Sequence, residues 1–160
     1  MAAAGRLIDV WLEDVDGRRA SLAELRGLPA IVVYAGRQGA AAAMQVGVDL
    51  DARFGGGVVV PRARIVPVAC LGEVPRFLRG VIRSQVRQAA AGVAVWIDFE
   101  RALEQTLGMR EALANVAVLD AAGRVAGVTA GAGKACVEAV TALMHGLPES
   151  LPLSPETDPG

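Results

Sequence analysis

Apolar positions along this chain come in short runs that switch between two periods. Ala30 to Tyr34 is an unbroken apolar stretch, which predicts a strand buried on both faces. Leu7 to Trp11 is apolar and β-prone and predicts another strand. Between them, Asp14-Val-Asp-Gly17 carries tight-turn residues, and Ser21-Leu-Ala-Glu24 has the spacing of a capping box, opening a short helix that Gly27 ends. After Tyr34 the period lengthens. A helix is predicted from about Gln38 to Phe54, and Gly55-Gly-Gly57 stops it, because three glycines raise the entropy cost of continuing. Arg64 to Cys70 predicts the next strand. Pro75 suits a first helical turn, where its missing donor is harmless, and the helix over residues 73–90 follows. Val93 to Ile97 predicts a short strand, and Phe99 to Leu107 a helix.

The segment Asn115 to Val128 then predicts a hairpin. Two β-prone runs flank Asp120-Ala-Ala-Gly123, which fits a type I turn with Asp first and Gly last. Gly133 to His145 predicts the last helix. From Gly146 on, Pro148, Pro152, Pro155 and Pro159 stand among few large apolar residues. The folded domain is therefore expected over residues 1–146, with a disordered tail over 147–160. Strands and helices alternate first, implying parallel strands, and the hairpin adds antiparallel ones. The expectation is one α/β domain, a central mixed sheet flanked by helices on both faces.

Composition narrows the picture. The length of 160 residues suits a single domain, and a hydrophobic share of 53% is enough for a full core. A net charge of −1 points to no nucleic-acid partner and no membrane surface. No apolar run reaches the ~18 residues of a membrane span. The start, Met-Ala-Ala-Ala-Gly-Arg, lacks the apolar core of a signal peptide. The expected location is the cytoplasm if Met1 is native, and the periplasm if a leader was removed.

The element order resembles the thioredoxin-like fold. Val93 to Met109, before the hairpin, resembles the insertion of the peroxiredoxin and thiol-reductase branch of that fold. Val116-Ala-Val-Leu-Asp-Ala-Ala-Gly-Arg124 resembles the Leu-Ile-Asp-x-x-Gly-Arg hairpin of those proteins. Their strand-to-helix junction, here Ala30 to Met44, holds a Cys-x-x-Cys pair. The corresponding positions fall near Gln38 and Ala41, and neither is a cysteine. Those families also place a cis-proline before the hairpin, facing the cysteines; here the candidates are Leu113, Ala114 and Asn115. A closer resemblance is to the YtfJ family, a poorly characterised thioredoxin-like group. It is carried by Ala35-Gly-Arg37 before a small-residue helix with Met44, by the hairpin without proline, and by the element order from Leu7 to Leu147. Members are generally exported and have no agreed activity. The resemblance thus implies a thioredoxin-like domain without a redox pair.

Candidate chemistry is sparse. Cys70 ends a strand and Cys136 lies one turn into the last helix. In a thioredoxin-like sheet the Cys70 strand and the hairpin's second strand, which leads into the Cys136 helix, stand three spacings apart, about 14 Å, beyond the ~7 Å Cα limit of a disulfide. The plain reading is two small buried apolar residues; the sharper one makes Cys70 a lone reactive thiol. The turn Gly36-Arg37-Gln38-Gly39 opens a helix, where free amides and Arg37 suit a small anion or a peptide carboxylate. The competing reading is a plain glycine turn with Arg37 solvated. Asn115 is grouped with this turn by the facing position that the resemblance implies.

Arg76, Arg79, Arg83 and Arg87 form one helical stripe opposite Phe77, Leu78, Val81, Ile82 and Val86. With Arg62, Arg64 and Glu73, residues 62–87 carry +5, a face for an acidic partner or simply a solvated one. Gly131-Ala-Gly-Lys134 fails as a phosphate loop, since Val128 stands where the first Gly is required. Leu12 to Gly17 fails as a calcium loop, with Leu12 and Ala23 at ligand positions. His145 is the single histidine and builds no metal site alone. No cofactor or metal is implied. The leading expectation is a redox-inactive binding module for an unknown protein or peptide, with a small anion as a further ligand class. The alternative is a one-cysteine thiol oxidoreductase using Cys70.

Overall fold

A computed structural model describes residues 5–25, 27–56, 62–72, 74–90 and 92–147. The strands are β1 (Trp11–Glu13), β2 (Arg19–Ser21), β3 (Ala30–Ala35), β4 (Arg64–Cys70), β5 (Trp96–Asp98), β6 (Ala114–Leu119) and β7 (Val125–Gly131). Helix α1 (Ala40–Phe54) follows β3, α2 (Arg79–Ala90) follows β4, α3 (Ala102–Leu107) follows β5 and α4 (Gly133–His145) follows β7. The strands form one sheet in the order β2-β1-β5-β4-β3-β6-β7. β4 pairs parallel with β3 and β5, and the remaining pairs are antiparallel. The expected mixed sheet is present. The expected tail falls almost wholly outside the described residues, as does Gly57.

Every residue of β3 and β6 is buried. Successive side chains alternate between faces. Val32 and Tyr34 therefore join Val10, Leu12, Val68 and Leu103 on one face. Ile31 and Val33 meet Val46, Leu50 and Phe54 of α1 and Val137 and Val140 of α4 on the other. Each such side chain contributes roughly 1.5–3 kcal/mol through burial. The hairpin forms as expected. Gly123 N–H donates to the Asp120 carbonyl at 2.9 Å, and the Asp120 carboxylate accepts from the Ala122 and Arg124 amides, both at 2.9 Å. Gly123 sits at φ +88°, a left-handed conformation that glycine takes freely.

Several boundaries differ for identifiable reasons. The alternation Ile8, Val10, Leu12 is buried, but the β1 ladder begins only at Trp11, where Arg19–Ser21 supplies a partner strand that the apolar pattern does not reveal. Ser21 Oγ accepts from the Ala23 amide at 3.0 Å and donates to the Asp9 carboxylate, so Leu22–Leu25 is a 3₁₀ turn and not the expected capping box. β5 lies at Trp96–Asp98, shifted from 93–97, because those residues stand beside Val68–Cys70. The helix expected from Gln38 starts as a 3₁₀ turn, Arg37–Gly39, and becomes α1 at Ala40.

Helix α2 departs furthest from expectation. Pro75 precedes it in an extended conformation, and Arg76–Leu78 forms a 3₁₀ turn. Of the arginine stripe, Arg79 and Arg83 are half-buried and Arg76 and Arg87 exposed. Arg79 pairs with Glu100 at 3.5 Å, and its guanidinium lies 4.9 Å from the centre of the Phe99 ring. Arg83 pairs with Glu13 at 3.4 Å, while Arg87 pairs with Asp16 and donates to the Val15 carbonyl at 3.0 Å. Of the apolar stripe only Ile82 and Val86 are half-buried; Phe77 is 82% exposed and Val81 56%. The expected core face is thus only partly covered, with Phe77, Leu78 and Val81 left outside. The cause is what lies beneath: β1 is three residues long and offers Glu13, which recruits Arg83.

Helix α3 is placed by a buried carboxylate. Asp98, 1% exposed, accepts from the amides of Glu100 at 3.2 Å, Ala102 at 3.1 Å and Leu103 at 2.9 Å. It supplies the cap that the helix's own first residues lack, which explains why the helix begins at Ala102 and not at Phe99. Asp98→Ala leaves these donors unpaired and is expected to lower stability by about 2–3 kcal/mol in urea unfolding. An unchanged midpoint would show that Asp98 does not hold this helix.

Candidate functional site

The parallel strands β3, β4 and β5 end at one edge of the sheet, and β6 begins there. Ala35 pairs with Ala69, Cys70 with Asp98, and Tyr34 with Asn115. This edge therefore gathers the turn 36–39, the thiol of Cys70 and the segment 108–115. Crevices at the carboxyl ends of strands are where α/β sheets bind ligands.

In the turn, Gly36 is extended, and Gly39 N–H donates to the Gly36 carbonyl at 3.2 Å. Gly39 is buried directly against the Leu113 peptide. A methyl group there would collide with the Leu113 carbonyl oxygen and lie 2.9 Å from its carbon. At Gly36 a methyl would lie 3.6 Å from Met109 Cε, an ordinary contact, so only Gly39 is required to be glycine. Arg37 and Gln38 are exposed. The Arg37 carbonyl accepts from the Ala40 amide, and among the described residues the Arg37 side chain makes no hydrogen bond or ion pair. The first turn of α1 has neither a side-chain cap nor an acidic residue.

The segment facing the turn is clasped. Tyr34, fully buried, donates its hydroxyl to the Gly108 carbonyl at 2.7 Å. Asn115, 2% exposed, accepts from the Arg110 amide at 2.8 Å and donates to the carbonyls of Arg110 and Leu113, both at 3.1 Å. Both amide hydrogens of Asn115 are engaged, so it positions the loop and has none to offer a ligand. Within the loop Ala112 sits at φ +65°, a left-handed conformation costing a non-glycine residue about 1–2 kcal/mol. The clasp holds that strain beside the turn. The roles of Tyr34 and Gly39 escape sequence reasoning, because each depends on a backbone group distant along the chain, Gly108 for one and Leu113 for the other.

The two cysteines lie on opposite faces. Cys70 is half-buried against the face of Tyr34 and Leu103, and Cys136, on α4, is buried on the opposite face with Val46 and Leu50. Both are free thiols. Burial pushes the Cys70 thiol up from 9.0 to about 12, and the carboxylates Asp98 and Glu104 add to it. Burial also raises Cys136. Helix α1 packs on the face opposite Cys70. Of the arginine stripe, three members pair with Glu100, Glu13 and Asp16, and Arg76 is left exposed. A shallow groove of about 480 Å³ between α1 and α4 is lined by Asp49, Ala52, Arg53, Lys134 and Val137, and none of the expected site residues lines it. Among the described residues no group of His, Cys, Asp and Glu is placed to hold a metal ion.

The chain has a thioredoxin-like fold. It is similar to the exposed lipoprotein thioredoxin of Streptococcus pneumoniae, with 17% identity and a TM-score of 0.60 over 86% of this chain and 99% of that one. It is similar to a protein assigned as the thiol:disulfide interchange protein DsbE of Chlorobium tepidum, with 15% identity and a TM-score of 0.65 over 91% and 97%. It is also similar to a thiol peroxidase of Chromobacterium violaceum, with 13% identity and a TM-score of 0.55 over 89% and 86%. Likeness at these identities is likeness of fold. No family model and no curated sequence matches the chain.

Two outcomes are expected. Gly39→Ala forces Leu113 away and lowers stability by about 1–3 kcal/mol; hydrogen exchange of the Arg110 and Leu113 amides should speed up in the same variant. Unchanged exchange would mean that the turn and the loop are not in register. The second outcome concerns alkali. The folded chain holds the Cys70 proton more tightly than the unfolded chain, so stability falls as pH rises from about 9 towards 12. The raised Tyr34 hydroxyl acts in the same direction. Cys70→Ala should flatten that fall in denaturant titrations, and an identical fall in the variant would exclude Cys70 as its source.

Proposed function

We propose that this chain is a redox-inactive thioredoxin-like domain of the YtfJ type, a binding module that engages its partner at the turn Gly36–Gly39. One observation carries this reading. The junction that holds a dithiol in thiol oxidoreductases here exposes Arg37 and Gln38, while the thiol at the same edge, Cys70, is half-buried and pushed up to about 12. Thiol exchange needs a thiolate, and at neutral pH almost none forms at Cys70. A peptide carboxylate or a small anion fits the turn. The start of α1 lacks a side-chain cap, and the Arg37 guanidinium has no protein partner among the described residues. The module is read as working outside the cytoplasm, with an exposed lipoprotein among its structural neighbours as support.

Two experiments test this. In insulin reduction with dithiothreitol, the protein should not exceed the uncatalysed rate. In a thermal-shift screen with phosphate, sulfate and short acidic peptides, at least one ligand should raise the melting temperature. Arg37→Ala should weaken that ligand roughly tenfold or more, a loss of about 1.5–3 kcal/mol, and leave unliganded stability within about 0.5 kcal/mol. Clear turnover that disappears in Cys70→Ala would replace the module with a one-cysteine enzyme. If no anion or peptide stabilises the wild type, the turn is not the binding point.

A further inference from the structure

The face of the sheet that carries α1 also carries α2. Each helix connects two neighbouring parallel strands, and such crossovers are right-handed, which sets the two side by side on one face. The pairing of Arg83 agrees. Leu12 lies on the Tyr34 face, so Glu13, the next residue of β1, points to the α1 face and meets Arg83 there. Between the helices runs β4. Its residues Pro67 and Ala69 point to this face and are half-exposed. Their ladder partners are covered: Val33 is 2% exposed, Ala35 5% and Ile97 0%. β4 is an inner strand, so the exposure marks an open seam above it.

The sides of the seam are apolar. Asp49 and Ala52 mark the flank of α1 towards α4, which leaves Ala43 and Gly47 on the flank towards α2. A methyl group at Gly47 would meet nothing within 4 Å. On α2, Arg83 and Arg87 reach out to Glu13 and Asp16, away from α1, so Leu78 and Ile82 stand on the flank towards it. Ile82 joins neither buried side of the sheet. Arg37 stands in the turn that opens α1, exposed, its guanidinium without a partner among the described residues.

We propose that this seam binds a free long-chain carboxylate of the fatty-acid class, with the acyl chain along β4 between α1 and α2 and the carboxylate at Arg37. The proposal rests on the reading of the turn 36–39 as an anion site and names the ligand of that site. Charge and polarity select the occupant: a cation stands at the head of a strip of apolar groups. A peptide in the seam would bring amides and carbonyls that find no partner. β4 has both its ladders filled, by β3 and β5, and the helix backbones pair with themselves. An acyl chain brings no polar group to satisfy, and Gly47 leaves it the room that a side chain would fill.

Calorimetry on the full chain with butyrate, octanoate and octanol tests this. Octanoate should bind about tenfold or more tighter than butyrate, because its added methylenes leave water. Arg37→Ala should weaken both carboxylates, and octanol should bind more weakly than octanoate. Gly47→Leu fills the seam. It should fold as well as the wild type, keep butyrate and lose the gain of octanoate. Leu78→Gln, on the exposed facing flank, should reduce the same gain and covers the case in which Gly47→Leu fails to fold. Equal binding of butyrate and octanoate overturns the seam while leaving the turn an anion site. Octanoate binding unmoved in both seam variants overturns it too, as does octanol binding as tightly as octanoate. Failure of the turn itself reads differently: neither carboxylate binds, and the proposal falls with it.

Discussion

The structure depends on β3 and β6 lying side by side, antiparallel, with both faces covered. Neither strand has water to satisfy its backbone, so each must find its hydrogen bonds in a neighbouring strand. That requirement draws β4 to one side and β7 to the other. The buried run is apolar until its last positions, where Tyr34 and Asn115 stand opposite each other. Both direct their polar atoms into the loop 108–115 and away from solvent. The place where the core ends is therefore also the place where a long loop is fixed against the turn.

Much of this was legible in the sequence. The unbroken run Ala30 to Tyr34 and the hairpin around Asp120 and Gly123 read correctly because their signals are local: alternation, length and turn chemistry. Helix α1 read well for the same reason, with Val46, Leu50 and Phe54 spaced to face a sheet. The position of the candidate turn could be counted from these elements. The roles inside it could not. Gly39 is a glycine because Leu113 passes next to it, and no window of neighbouring residues contains that fact.

Helix α2 shows the limit most clearly. Its periodicity is real, and the expectation that the apolar stripe faces inward is sound where a sheet offers apolar area. Here the helix covers strands of three residues, and Glu13, Asp16 and Glu100 lie where arginines can reach them. Such pairs add little individually. They win because the surface beneath gives the apolar stripe nothing better to bury against. Pattern states that a helix has two faces; only the neighbour decides which one is inside.

The division of the cysteines between faces constrains how this domain can change. Cys70 packs on the face opposite α1, while Cys136, a residue of α4, is buried on the same face as α1. The sheet therefore stands between the two sulfurs, and oxidation cannot join them within one folded copy.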